Sequence, residues 1–300
     1  MDSTAQLIGR TSESAELVFH APDPRLAGLV IGYTGQDWTL ARSMLRRVVA
    51  LASVIVVIDF EPPVRRLITG AGPAAVPASL VRGPSTRATV VEQVGREYGM
   101  MIQLTPPGAH ALFGLPLHEV TDRSVGLDTL LGTDARRLAE QLAEAPDWPT
   151  RFRLLDGYLL RRIHDGPEPA APVGWAWQRL TRLSGDVRIG TLADEVGWSR
   201  QHLNARFHEE LGLPPKAVAR IARLQKTLSF VNRAGPISWA DAAAACGFTD
   251  QSHLSRDFRL LTGCTPTELR ALMIDWRDLL TGDPSTTRRS LLRLTGDRAA

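Results

Sequence analysis

Two groups of polar side chains, about fifty residues apart, are the residues of this sequence best suited to recognise a nucleic-acid base. Both groups combine guanidinium, amide or hydroxyl side chains within a few positions: Arg200, Gln201 and Asn204, then Gln251, Ser252, Ser255 and Arg256. Arginine can donate two hydrogen bonds to the major-groove acceptors of guanine, and glutamine or asparagine can pair in a similar way with adenine. Such a group near the start of a helix has the geometry that enters a major groove.

The segment that holds these residues, Val187 to Pro266, contains two copies of one sequence repeat. Two positions match at an offset of fifty and four at an offset of fifty-one, so one residue is inserted in the turn of the second copy. The matched residues are apolar or turn-forming: Ala193 with Ala243, Gly197 with Gly247, Leu203 with Leu254, Phe207 with Phe258, Gly212 with Gly263, and Pro215 with Pro266. Internal repetition of this kind indicates one structural unit used twice.

Each copy predicts a helix, a turn and a second helix. The first helix ends at a glycine, Gly197 or Gly247, where a positive φ is favoured. The second begins at a capping hydroxyl, which we predict to be Ser199 in one copy and Thr249 in the other. Its leucine and phenylalanine lie four residues apart and face inward, so the polar groups face outward. Two further arginines on these helices, Arg206 and Arg259, are predicted to contact phosphate. His253 is predicted either to pack against the protein or to contact phosphate.

Between the two copies, Lys216 to Asn232 predicts a linker helix roughly 26 Å long. Apolar residues at helical spacing predict its buried side, and basic residues predict an exposed side: Ile221, Leu224, Leu228 and Val231, against Arg220, Arg223 and Lys226. A rod of that length can hold two reading helices about one DNA turn apart, roughly 34 Å. Thr265 to Glu268 then predicts a capping box at the start of the next helix.

Residues 175–275 resemble the C-terminal DNA-binding domain of the AraC/XylS family of bacterial transcription regulators. The likeness is strongest in the second copy, at Gly247-Phe248, at Asp250 to Arg256, and at Phe258, Gly263 and Thr265-Pro266. The resemblance implies two helix-turn-helix units joined by a linker helix and binding asymmetric promoter sites. It implies base-reading residues in both units: Gln201 and Asn204, then Gln251, Ser252, Ser255 and Arg256.

The first unit departs from the family pattern in one respect. Ala205 stands where a basic residue is common, and Arg206 follows one place later. We therefore expect the half-site under Gln251 to Arg256 to be the more stringent of the two. The function that follows is sequence-specific regulation of transcription, not enzymatic catalysis.

The first half of the chain reads as strands followed by helices, which is an α+β pattern. The predicted strands are Leu29–Tyr33, with Gly35–Trp38 as the turn or edge after it, then Val48–Phe60, Arg65–Ile68, Ser79–Arg82, and a pair formed by Val90-Val91 and Met100–Leu104. We predict a loop at Gly70–Pro77. The predicted helices are Ala109–Phe113, Leu127–Leu131, Asp134–Ala145 with Thr133 as its N-cap, and Thr150–Ile163.

The predicted organisation is therefore multidomain, an α+β domain followed by an all-α domain. Residues 1–165 form an α+β domain for effector sensing or dimerisation, and prolines and glycines mark 166–174 as a linker without helix or strand. Residues 175–280 form the all-α domain with two helix-turn-helix units, and 281–300 read as a disordered tail. The apolar stripe Phe152, Leu155, Leu159 and Ile163 fits a dimer face or internal packing equally well.

Composition restricts the class of protein. The 300 residues suffice for two domains, and the longest apolar run, Val48 to Ile58, is too short to span a bilayer. Two cysteines, Cys246 and Cys264, support neither a disulfide framework nor a four-cysteine zinc site, which favours a reducing cytoplasm. The resemblance implies a bacterial protein, and the expected DNA binding would place it at the nucleoid. The net charge is only +3, but the basic excess lies in the repeat and the tail.

An alternative class is an enzyme of DNA-alkylation repair or response that uses the same DNA-binding domain. Such an enzyme needs a reactive cysteine, and none precedes Cys246, which itself is expected to be a buried core thiol. We predict no cofactor, and no metal, because the histidines lack the i, i+4 pairing of a helical zinc site. Surface roles are the default for His110, His118 and Glu119, and ordinary core or surface roles for Tyr33, Trp38 and Tyr98.

The partner expected first is double-stranded promoter DNA. RNA polymerase, a small-molecule effector and a second copy of the chain are further candidates, and a membrane is not. A regulator that dimerises without any ligand remains an open alternative to an effector sensor.

Overall fold

The computed structural model describes residues 16–69, 71–234 and 238–268. The tail predicted at 281–300 and the end of the predicted all-α domain, 269–280, lie outside these ranges. The described chain consists of an antiparallel sheet with four helices, followed by six further helices. This order confirms the predicted fold class.

Eight antiparallel strands build the sheet of the first half. In chain order they are β1 (Glu16–His20), β2 (Val30–Val48), β3 (Val54–Asp59), β4 (Val64–Thr69), β5 (Gly72–Ala75), β6 (Leu80–Arg82), β7 (Thr89–Leu104) and β8 (Ser124–Gly126). The main path through the sheet is β1-β2-β7-β3-β6-β8, and β4 pairs with both β5 and the far end of β7. The long strands β2 and β7 pair with each other, and β1, β3 and β4 pair with one or the other of them.

The turn or edge predicted at Gly35–Trp38 is wrong, because β2 continues to Val48 and pairs with β1 and β7 there. Gly35 pairs with Met100 in the ladder. A Cβ atom on Gly35 would lie 2.5 Å from Cε3 of Trp148. The glycine therefore makes room for an aromatic ring inside a strand, which is a packing role and not a turn.

The predicted pair of short strands after residue 89 is one strand, β7. Gly95 has a φ of +82°, and the register between β2 and β7 shifts next to its partner Leu40. A Cβ atom on Gly99 would collide with the backbone oxygen of Ile58 on β3. These glycines thus allow an irregularity and a close strand approach within a continuous strand.

The loop predicted at 70–77 contains the short strand β5, which within the described residues pairs with β4 alone. Pro73 is tolerated there because an edge strand has one side without a ladder. The strand predicted over Val48–Phe60 is shorter, since β3 begins at Val54. Val49 to Ala52 form no strand and pack instead into the core of the second half.

Four helices cover the sheet: α1 (Pro106–Phe113), α2 (Leu127–Leu131), α3 (Thr133–Glu144) and α4 (Trp148–His164). Helix α1 starts three residues earlier than predicted, because Thr105 caps the amide of Gly108 and prolines suit a first turn. Gly132, not Thr133, is the N-cap of α3. The apolar stripe on α4 is buried in the core of the first half, so it serves internal packing and not a dimer face. It consists of Phe152, Leu155, Leu159 and Ile163.

Three aromatic side chains of the first half have core roles. Tyr33 and Trp38 are buried. Tyr98 packs edge-on against Trp148.

The second half contains α5 (Ala171–Arg182), α6 (Ile189–Glu195), α7 (Arg200–Leu211), α8 (Pro215–Ala234), α9 (Trp239–Ala245) and α10 (Gln251–Thr262). The linker predicted as free of helix at 166–174 is wrong in its last part, because α5 begins at Ala171. Pro172 lies in the first turn, where its missing N–H would have no partner in any case.

Candidate nucleic-acid interface

The first helix-turn-helix unit is α6 and α7. Gly197 closes the turn between them with a φ of +70°, as its position in the repeat predicts. The Ser199 hydroxyl accepts a hydrogen bond from the amide of His202 at 3.1 Å and caps α7. Leu203 and Phe207 are fully buried. The predicted cap and the predicted inward face are both confirmed in this unit.

The second unit, α9 and α10, has the same construction with one difference. Gly247 has a φ of +81°, and Leu254 and Phe258 are fully buried. The predicted cap Thr249 is wrong: the Asp250 carboxylate accepts a hydrogen bond from the amide of His253 at 2.7 Å. The inserted residue of the second turn shifts the cap one place along the chain, so Asp250 occupies the position of Ser199.

The polar groups singled out in the sequence lie on the outer faces of α7 and α10. Arg200, Gln201 and Asn204 are exposed on α7. On α10, the five side chains at this face line one surface groove of about 460 Å³: Gln251, Ser252, Ser255, Arg256 and Arg259. Donors and acceptors of several kinds are thus presented together along one side of a helix.

Two of the predicted contact residues are engaged elsewhere. Arg206 forms ion pairs on its own helix, with Glu209 at 2.7 Å and Glu210 at 2.6 Å. His253 is half-buried, with its ring edge-on to Phe248 at 5.4 Å between centroids. Both side chains therefore lie off the polar face that the other residues share.

Helix α8 joins the two units and spans 20 residues, which corresponds to about 30 Å. Ile221, Leu224 and Val231 are buried, as the stripe predicts, and Leu228 is partly buried. The predicted exposed basic side is wrong. Arg220, Arg223 and Lys226 are half-buried, and the Arg223 guanidinium lies 5.5 Å from the centre of the Phe248 ring.

An ion pair between α8 and α10 is the main feature that sequence reasoning missed. Arg220 donates from Nε at 3.0 Å and from Nη2 at 2.6 Å to the Asp257 carboxylate, which is 3% exposed. The repeat contained a signal, because Asp257 aligns with Arg206 and neither position belongs to the outward face. The pair fixes α10 on α8.

The first half of the chain holds the C-terminal ends of both reading helices. At α7, the Thr121 hydroxyl donates to the carbonyl of Gly212 at 2.8 Å, and a His118 ring nitrogen lies 3.3 Å from the carbonyl of Glu209. At α10, the amide of Ala50 donates to the carbonyl of Leu261 at 2.8 Å. The outward polar faces at the helix starts are left uncovered by these contacts.

Residues weighed for other chemistry take structural positions. Cys246 and Cys264 are buried and unpaired, and His110 contacts the carbonyl of Leu115 at 2.9 Å. Within residues 16–69, 71–234 and 238–268, no three histidine, cysteine or acidic side chains are placed to hold a metal ion. No helix in the described part of the chain is long and apolar enough to cross a membrane.

Comparison with known proteins agrees with this geometry. Residues 192–272 match the family model described as a helix-turn-helix domain, and residues 18–126 match a domain of unknown function, DUF6597. A regulator from Bacillus subtilis (strain 168), YbfI, described as an uncharacterized HTH-type transcriptional regulator, is 28% identical over 89 residues. That match spans 29% of this chain and only 32% of the length of YbfI.

The chain also aligns with solved structures, at TM-scores below 0.5. ToxT from Vibrio cholerae has a TM-score of 0.44 at 9% identity, covering 79% of this chain and 97% of ToxT. The C-terminal domain of AraT, a response regulator from Geobacillus stearothermophilus, has a TM-score of 0.32 at 21% identity, covering 36% of this chain and 89% of that domain.

The paired units and the family match identify residues 192–272 as a helix-turn-helix domain. Two such units joined by α8 are the arrangement expected from the resemblance to the AraC/XylS family.

Proposed function

We propose that the chain reads two successive major-groove segments of a promoter, one with α7 and one with α10. The observation that carries this proposal is the equivalent placement of two exposed polar faces at the starts of two helices that share one linker helix. At about 30 Å, α8 is close to the roughly 34 Å that separates successive major-groove faces.

The proposed base-reading set follows from the outward faces. In the first unit it consists of Arg200, Gln201 and Asn204, and in the second of Gln251, Ser252, Ser255 and Arg256. Arg259 lies one turn further along the groove on α10 and is placed to contact phosphate. Arg206 and His253 are assigned to holding their helices, because their partners lie within the protein.

The second unit is proposed to be the more selective of the two. It presents Arg256, for which the matching position on α7 is Ala205. A bidentate arginine contact with guanine discriminates by about 1–3 kcal/mol against the wrong base. The half-site under α7 lacks that contact and tolerates more variation.

The first half of the chain is proposed to regulate DNA binding by sensing an effector or by dimerising. Support comes from its contacts with the ends of both reading helices, through Thr121 at α7 and Ala50 at α10. A change in the first half would therefore reach both helices through short hydrogen bonds, without passing through the segment around 166–170.

The test is Arg256→Ala in the full-length protein, measured on a site selected from random duplex DNA. We expect binding to weaken by about 1–3 kcal/mol and one base position to lose its preference. The matched control is Arg153→Ala, an exposed arginine of α4 that hydrogen-bonds only Thr150 within the described residues. Unchanged affinity and unchanged base preference in Arg256→Ala would remove α10 from the proposed reading surface.

A further inference from the structure

A cleft of about 500 Å³ lies in the first half of the chain, between α1, α3 and α4. Its lining includes the apolar side chains of Phe113 and Leu138 and three arginines, Arg137, Arg161 and Arg162. The volume lies within the roughly 300–1,000 Å³ typical of small-molecule sites. This combination of apolar and cationic lining residues favours a ligand that has both an apolar body and a negative charge.

The charges around the cleft do not cancel. Three arginines face two carboxylates, Asp134 and Asp165. Asp134 is shared between Arg162 at 3.6 Å and Arg137 at 3.9 Å, both longer than a direct hydrogen bond. Arg161 has no ion pair within the described part of the chain. One positive charge is therefore left over, which matches a ligand with a single negative charge.

Tyr158 supplies a hydrogen-bond donor without an acceptor. Its hydroxyl is buried and finds no partner among the residues that the structure describes. Burial is the main cause that raises the pKa of this hydroxyl, so Tyr158 keeps its proton at neutral pH. A buried polar group normally has a partner, and a missing one points to a ligand or an ordered water at this place.

We propose that this cleft binds a small organic carboxylate. The carboxylate would accept hydrogen bonds from Arg161 or Arg162 and from Tyr158, and the apolar body would pack on Phe113 and Leu138. An arginine fork suits the two oxygens of a carboxylate, and the apolar lining residues disfavour a fully hydrated inorganic ion. The proposal rests on the regulatory role proposed for the first half and names the chemical class of its effector.

The position of the cleft connects it to the first reading helix. Helix α1 packs on α4 and also on α7. Gly166, just beyond the cleft, is pressed so closely on the carbonyl of Ala111 in α1 that a Cβ atom would collide with it. Four residues later, the amide of Ala170 donates to Glu210 of α7 at 2.8 Å. A ligand between α1 and α4 thus lies beside the segment that meets α7.

The test is calorimetric titration of the full-length protein, without DNA, with benzoate, phenylacetate and octanoate. The corresponding neutral amides and inorganic phosphate serve as comparison ligands. We expect saturable one-to-one binding of at least one acid and none of its amide. Affinity should fall roughly tenfold or more in Arg161→Gln/Arg162→Gln and in Tyr158→Phe, since each removes a charge-assisted hydrogen bond.

Arg136→Gln is the matched control, because Arg136 lies next to Arg137 on α3 but pairs with Glu140 outside the cleft. It should leave the affinity unchanged. Failure of all three acids to bind, equal binding of acid and amide, binding of phosphate alone, or acid binding that survives the cleft variants would each overturn the proposal. Because no DNA is present, such a failure says nothing against the reading helices.

Discussion

Replacing Arg220 with methionine is predicted to loosen α10 from the linker helix. The change leaves the Asp257 carboxylate 3% exposed and without the two hydrogen bonds that Arg220 donates. The remaining neighbour is the His253 ring, whose Nε2 atom lies 3.8 Å from the other carboxylate oxygen. A buried carboxylate would thus lose its principal partner.

The expected cost follows from how deeply the pair is buried. Removing one partner of a fully buried ion pair costs about 3–5 kcal/mol, because the remaining charge is not solvated. The Arg220 side chain is 26% exposed, so water can reach part of the space that it leaves. We therefore expect a loss of about 2–3 kcal/mol in the free energy of opening of α10.

Hydrogen exchange of α10 amides, followed by mass spectrometry on the full-length protein, measures this free energy locally. The expected loss corresponds to roughly 30- to 150-fold faster exchange. The double variant Arg220→Met/Asp257→Leu should recover most of the protection, because no buried charge remains.

The control is Arg179→Met, which breaks an exposed ion pair with Glu195 at 3.7 Å between α5 and α6. Its local cost should stay below about 1 kcal/mol. Unchanged exchange of α10 in Arg220→Met would refute the role given to this pair.

Two further predictions concern stability, and both compare a critical residue with a neutral one. Asp250→Ala should destabilise α10 by about 1 kcal/mol, whereas Thr249→Ala should have little effect, as measured by exchange of the first-turn amides. Equal effects would contradict the assignment of the cap. Gly35→Ala should lower the stability in urea unfolding by about 1–3 kcal/mol, because its methyl group meets Trp148. Gly174→Ala, with nothing within 4 Å of the added methyl, should be neutral or stabilising.

Most of the second half could be predicted from the sequence, because its signals are local. A glycine at a positive φ, a capping side chain and apolar residues four apart each act within one or two helical turns. The capping box at Thr265 is confirmed by reciprocal hydrogen bonds with Glu268, at 2.7 and 3.1 Å. The prediction at Thr249 was wrong because the inserted residue places two capping residue types next to each other, Thr249 and Asp250.

The first half was harder to predict, because its decisive contacts are distant in sequence. Gly35 looks like a turn residue until Trp148, more than a hundred positions away, is seen to occupy the space above it. The apolar run from Val48 was read as one strand, since a short buried segment has no period that separates strand from loop. Val49 to Ala52 are apolar because they pack against the second half.

In the candidate site, too, local features could be predicted from the sequence and contacts between distant residues could not. The outward positions on α7 and α10 followed from the inward ones, and helical geometry alone relates the two. The partners of Arg206, Arg220 and His253 did not follow, because exposure of a charged side chain depends on which helix packs beside it. A basic residue on an amphipathic helix is a candidate for a buried ion pair as well as for phosphate.

The two-segment mode of DNA binding is tested most directly by sequencing duplexes that the full-length protein selects from a random library. We predict two motifs on one DNA face, with centres about 10–11 base pairs apart. The motif contacted by α10 should be the better defined, and Arg256→Ala should remove one of its preferred bases while leaving the other motif intact. A single uninterrupted motif, or two motifs whose spacing varies freely, would contradict a reading surface held rigid by α8.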